Sequence, residues 1–199
     1  VQTPSQHDAE RDEEALIYIH EDDWGMRNLY PLAVQAEITE DLNDAVASAE
    51  RHRDPAGLGW TAVHVIREPS TSYVDAGLLV ADAAAAIDQI MPRVKRFYAT
   101  IFSAIGQTDR DPLGLYNDDA WCFGFDRHCY LKLDVEGELV RAIWFDFSSD
   151  SSEHADALRQ SMEEIERLVP SFIADYFMEA EVPLSDTELL DRYFAHLRG

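Results

Sequence analysis

The chain is poor in lysine, cysteine and glycine, and each shortage closes off a kind of chemistry. Only Lys95 and Lys132 are lysines; the 16 basic residues are otherwise arginines, and they face 39 aspartates and glutamates, for a formal net charge of −23. A surface of that charge repels phosphate backbones and anionic membrane faces, so direct nucleic-acid binding is not expected. The 9 glycines are scattered and build neither the phosphate loop that ends in Gly-Lys-Ser/Thr nor the G-x-S-x-G elbow of a serine nucleophile. No cofactor is expected. Two cysteines, Cys122 and Cys129, are too few for a cysteine zinc site and form no C-x-x-C pair. A bridge across a hairpin is geometrically open to them, but buried free thiols in a reducing cytoplasm are the expected state. No apolar run approaches the ~18 residues of a membrane span. The first stretch, VQTPSQHDAERDEE, lacks the basic start and apolar middle of a signal peptide, although Val1 in place of methionine leaves room for a removed leader. The expected location is cytoplasmic, away from membranes.

What is present is enough apolar matter, 46% of the residues, for a core of ordinary size. Residues 1–14 have nothing to bury and read as a flexible acidic tail; residues 15–199 read as a single α+β domain. ALIYIH (15–20) has strand composition, EDDWG reads as a turn, and LAVQAE (32–37) is a second strand candidate. Thr39 is placed to cap a helix that runs to about Arg53, with Leu42 and Val46 on its inner face. GWTAVHVI (59–66) alternates as a packed strand would, and YVDAGLLV (73–80) is its expected antiparallel return. Asp82 then caps an alanine-rich helix. Its apolar face continues through Ile87, Met91, Val94, Tyr98, Ile101 and Ile105 to Gly106, with a break at Pro92, where an internal proline costs ~3 kcal/mol.

Three alternating segments follow: AWCFGF (120–125), HCYLKLDV (128–135) and ELVRAIWFDF (138–147). Glu136-Gly137 supplies the turn between the last two, and together they predict a three-stranded meander with Leu131, Leu133 and Val135 on one face, where Leu139, Ile143, Phe145 and Phe147 can meet them. The C-terminal quarter reads as helical. Leu158, Met162, Ile165, Val169 and Phe172 form one stripe, Pro170 opens PSFIADYFMEA, and Ser185 with Glu188 forms a capping box before the last helix. The mixed order of elements predicts an α+β fold, a mainly antiparallel sheet covered by helices, rather than a doubly wound parallel one.

Aromatic residues set among acids form the candidate binding surface. Trp24 follows Asp22 and Asp23, with Tyr30 shortly after; Asp118 and Asp119 stand between Tyr116 and Trp121. Rings supply buried area and a face that attracts cations, while carboxylates supply charge complementarity to arginine or lysine. A second constellation is His20 with Asp126 and His128, whose imidazoles and carboxylate suit a divalent metal. Its spacing matches neither the one-turn helix pair of H-E-x-x-H nor a calcium loop. His64, midway along an apolar segment, reads as a hydrogen-bonded core histidine.

These features point to a non-enzymatic acidic binding protein whose partner is a basic protein. The immunity proteins that cover basic toxin nucleases share the profile, small, acidic and without a catalytic motif, as a likeness of type that no residue pattern carries. The alternatives are a metal-dependent enzyme using the His20, Asp126 and His128 pocket, or a scaffold domain whose acidity reflects lineage and solubility.

Overall fold

The computed structural model describes residues 16–19, 25–94, 96–99, 115–117 and 121–198. The predicted tail, the turn at 20–24, the helical extension through Ile101 to Gly106 and the acids Asp118 and Asp119 lie outside the described residues. The elements are β1 (Leu16–Ile19), β2 (Arg27–Pro31), α1 (Gln35–Arg51), α2 (Val80–Ile87), β3 (Arg96–Ala99), β4 (Leu115–Asn117), β5 (Trp121–Asp126), β6 (Cys129–Glu136), β7 (Leu139–Phe147), α3 (Ser152–Leu168), β8 (Ser171–Asp175), β9 (Ala180–Pro183) and α4 (Thr187–Leu197). The fold is α+β. Six strands form a sheet in the order β5-β6-β7-β2-β8-β9, with every neighbouring pair antiparallel. A second, three-stranded sheet runs β1-β3-β4, with β1 and β3 parallel.

The meander forms as the alternation of its residues requires. Leu131 pairs with Phe145 and Leu133 with Ile143, so both strands send the same parity of side chain to one face. Gly137 takes a φ of 62° at the turn, a left-handed backbone that glycine adopts without penalty. Gly124 serves differently. A Cβ there would lie 2.5 Å from the carbonyl oxygen of Cys129 and 2.6 Å from Tyr130 Cβ, so the close approach of β5 to β6 requires a residue without a side chain.

One face of the large sheet carries the main core. Leu29, Phe123, Cys129, Leu131, Leu133, Ile143, Phe145, Phe147 and Ile173 meet Val80, Ala83, Ile87, Leu158, Met162, Ile165, Leu190, Tyr193 and Phe194 from α2, α3 and α4. The other face holds two smaller clusters. Ile17 of β1 packs on Cys122, Tyr130 and Trp144, and Val34, Ile38 and Leu42 of the α1 region pack on Phe172 and Ala174. Cys122 and Cys129 thus belong to opposite faces, and both are free buried thiols.

Several local expectations give way to tertiary packing. The second strand is RNLYP rather than LAVQAE, which instead makes a 3-10 turn at Leu32–Val34 and enters α1 at Gln35, ahead of Thr39. PSFIADYFMEA is not helical: Pro170 ends α3, and β8 and β9 form a hairpin between α3 and α4. All five residues of β8 are buried, the pattern of a central strand covered on both faces. The last helix is capped by Asp186, whose carboxylate accepts the Leu189 amide at 3.0 Å, one residue after the expected Ser185. Asp82 lies in the first turn of α2, whose N-cap is Leu79, and α2 stops at Ile87; RFYA beyond Pro92 is strand β3. YVDAGLLV is a turn at 73–77 leading into α2.

GWTAVHVI is the largest departure. Among the described residues it joins no sheet; residues 61–72 form an extended strap held on α1 by side chains. Its alternation is real, with His64 and Ile66 turned inward and Val63 and Val65 outward, yet the partner is a helix rather than a strand.

Candidate functional site

Between the two small clusters, the second face of the large sheet is left open above Asn28 and Tyr30 of β2 and Ala142 and Trp144 of β7. The strap from Ile66 to Ser72 forms the opposite wall, and together they enclose a cavity of about 480 Å³. Four carboxylates, Glu68, Asp75, Asp134 and Glu136, line it with two guanidinium groups, Arg67 and Arg141. A cavity of that size with a few convergent polar groups is what a ligand site in a small protein looks like.

Asp134, Arg141 and Asp75 are each placed by an identifiable device. Asp134 accepts Trp144 Nε1 at 3.1 Å and Lys132 Nζ at 2.9 Å, so the indole and the ammonium hold the carboxylate at the cavity edge. A register shift between Asp134 and Val135 opposes Ala142 and Val140, leaving Arg141 on the bulge. From there its guanidinium reaches Glu68 at 3.6 Å across the cavity mouth and Asp134 at 3.9 Å. Asp75 accepts the Ser72 amide at 2.7 Å and closes the turn at the end of the strap.

Behind the strap lies a buried acid. Asp41, on α1 and 2% exposed, accepts the Tyr176 hydroxyl at 2.8 Å, and its other oxygen stands 3.0 Å from His64 Nε2 and 3.4 Å from Arg67 Nε. The reading of His64 as hydrogen-bonded holds, with a helix carboxylate as its partner. Arg67 also pairs with Asp44, and Ser70 donates to Glu37 through both amide and hydroxyl. Burial, with the Asp41 charge second, pushes the Tyr30 hydroxyl up to about 12, so Tyr30 enters the cavity as a neutral donor. It leans on Phe172 with ring centroids 5.9 Å apart.

Of the residues singled out in the sequence, Tyr30 is at this site, and Asp22, Asp23, Trp24, Asp118, Asp119 and His20 lie outside the described residues. Asp126 and His128 occupy the β5–β6 turn. There the Asp126 carboxylate accepts the His128 amide at 2.7 Å, His128 Nδ1 is 3.0 Å from Ser148 Oγ, and Arg127 Nε donates to His128 Nε2 at 3.0 Å. Both ring nitrogens are engaged, one by Arg127 of the turn and the other by Ser148 just after β7. Among the described residues no group of three or more histidine, cysteine or acidic side chains is arranged to hold a metal ion. Burial pushes the Cys122 and Cys129 thiols up to about 12, which keeps both protonated and poorly nucleophilic at neutral pH.

Glu68, Asp134, Glu136 and Arg141 were not singled out in the sequence. The meander pairing carries part of the signal, since Trp144 stands opposite Lys132, and Asp134 opposite Ala142, on the face away from Leu131 and Leu133. Comparison of the chain with protein families, curated proteins and solved structures finds no match. Among the described residues no helix is long and apolar enough to cross a membrane.

Proposed function

We propose that this is a non-enzymatic binding protein that takes basic side chains of a partner protein into the cavity between the strap and the large sheet. The observation that carries the reading is the lining itself: four carboxylates against two arginines around about 480 Å³. Arg141 already spans the mouth to Glu68 and Asp134 at 3.6 and 3.9 Å. Glu136 lines the same space with no ion pair among the described residues and is open to a guanidinium from another chain, and Tyr30 adds a ring that favours cations over anions. The net charge of −23 supplies long-range attraction that speeds encounter with a basic partner and discourages acidic ones. The finer form of the proposal is an immunity-type inhibitor that covers the basic active site of a toxin nuclease from a cytoplasmic location.

The test is calorimetric titration with an arginine- and lysine-rich peptide and with a glutamate-rich peptide of equal length, at low and at raised salt. The expected result is binding of the basic peptide alone, weaker at high salt. Glu68→Gln with Glu136→Gln should weaken it roughly tenfold, as loss of exposed charge pairs does. Equal binding of both peptides, or indifference to the double variant, would overturn the proposal.

A further inference from the structure

The cavity lining carries hydrogen-bonding capacity that the protein itself does not use. Asn28 is 7% exposed, and its Nδ2 donates to the Gly25 carbonyl, which fixes the other end of the amide as the oxygen. That Oδ1 accepts no hydrogen bond among the described residues, although Asn28 lines the cavity. A mostly buried acceptor without a donor costs free energy, so it marks a place for an N–H brought from outside the chain. Arg141 repeats the pattern with the opposite polarity. Its distances to Glu68 and Asp134, 3.6 and 3.9 Å, exceed hydrogen-bond length, and its guanidinium makes no hydrogen bond among the described residues. Its five N–H donors stand open at the cavity mouth.

A ligand that brought only positive charge would leave those donors unanswered. One that carries an anion close to its cation answers both. Glu136, also on the lining, makes no ion pair among the described residues. It stands two residues beyond Asp134 on β6, about 7 Å along the strand, and Arg141 approaches Asp134. A free guanidinium and a free carboxylate thus lie within the span of a single basic residue.

We infer that the cavity takes the end of a partner chain, a C-terminal arginine or lysine with its free carboxylate. The terminal carboxylate accepts from Arg141, the basic side chain reaches Glu136 and Glu68, and the residue's backbone N–H donates to Asn28 Oδ1. The inference rests on the cation-binding reading of the cavity and narrows its ligand from a basic surface to a basic terminus. The neighbouring acids permit an incoming anion. Asp134 is already offset by Lys132 Nζ at 2.9 Å and Trp144 Nε1 at 3.1 Å. Glu68 is 92% exposed and is held by little, so it can turn from Arg141 to the incoming cation.

Calorimetric titration of the full chain with a short basic peptide ending in arginine, as the free acid and as the C-terminal amide, is the test. The amide is the more positive ligand, so the field of a chain of net charge −23 by itself favours the amide. The expected result is the opposite order, the free acid tighter by about tenfold, the size of a charge-assisted pair at a half-exposed arginine. Arg141→Gln, at a position that is 50% exposed, should erase that preference, and Arg141→Lys should keep part of it. Free arginine, which has the charges without the rest of the chain, should bind more weakly than the free-acid peptide. An amide that binds as tightly as the acid, or a preference that survives Arg141→Gln, overturns the inference and leaves the cation-binding reading standing. Free arginine that binds as tightly as the peptide overturns the assignment to a chain end. Failure of both peptides to bind overturns the inference and the reading together.

Discussion

Arg27→Met is the sharpest probe of how this sheet is held together. The Arg27 guanidinium lies where β2, β7 and β8 meet, donating from Nε to Asp175 at 3.0 Å and from Nη1 to Asp146 and to the Phe147 carbonyl at 3.1 Å. Burial opposes its charge, but Asp175 and then Asp146 outweigh that cost, so its pKa lies above the ordinary value. Asp175 is 0% exposed and also accepts the Tyr193 hydroxyl at 2.8 Å and the amides of Phe177 and Met178 at 2.9 and 3.0 Å. Methionine keeps the aliphatic stem and removes the charge, which leaves a buried carboxylate with only neutral donors. Breaking a buried ion pair from one side costs about 3–5 kcal/mol. Asp146 is about a fifth exposed and recovers part of its loss from water, so the lower half of that range is expected. A domain holds about 5–15 kcal/mol in all, so the variant should remain folded with a clearly lowered urea midpoint. Urea unfolding followed by tryptophan fluorescence and circular dichroism measures it. The double variant Arg27→Met/Asp175→Asn should cost less than the sum of the singles by roughly 2 kcal/mol, because the uncompensated charge is removed with its partner. A loss under about 1 kcal/mol for Arg27→Met, or strict additivity, would refute the claim that this ion pair fastens the three strands.

Gly124→Ala should destabilise by about 3 kcal/mol or abolish soluble expression, since its Cβ would meet backbone and Cβ atoms of β6 within 2.8 Å; thermal melting reads this out. At alkaline pH the native state keeps thiol protons that the unfolded chain releases. The contribution of Cys122 is therefore full below pH 9 and is lost as pH rises towards 12, by about 4 kcal/mol for this thiol alone. Chemical denaturation from pH 8 to 11 should show that fall, and Cys122→Ala should flatten it. Asp41→Asn removes the charge that His64, Arg67 and Tyr176 share; hydrogen exchange of the hydrogen-bonded strap amides of Thr61 and Ser70 should quicken at least tenfold, an opening cost lowered by about 1.4 kcal/mol or more, while the meander keeps its protection.

The meander was legible because its alternation, its turn glycine and its apolar faces agree; its exact pairing was not, since the register shift after Asp134 sets Val135 against Val140 and leaves it 40% exposed instead of on the face of Leu131 and Leu133. β8 was not legible, because SFIAD is buried on both faces and a continuously apolar run carries no period to separate strand from helix. The 59–66 segment shows the converse. Its period-two pattern records an extended chain with one side inward, and pattern alone cannot say whether that side meets a sheet or, as here, the Asp41 carboxylate of a helix.

Composition and local pattern by themselves determined the α+β class, the hairpins of the meander, the long helices at 152–168 and 187–197 and the acidic surface. Only the tertiary structure decided that β2 enters between β7 and β8, and that a strap pinned by His64, Arg67 and Ser70 roofs the space over Trp144 and Tyr30. Periodicity reports which side of an element is buried, whereas a cavity is made by partners far apart in the chain. Their meeting depends on contacts whose energy appears only when the whole fold closes.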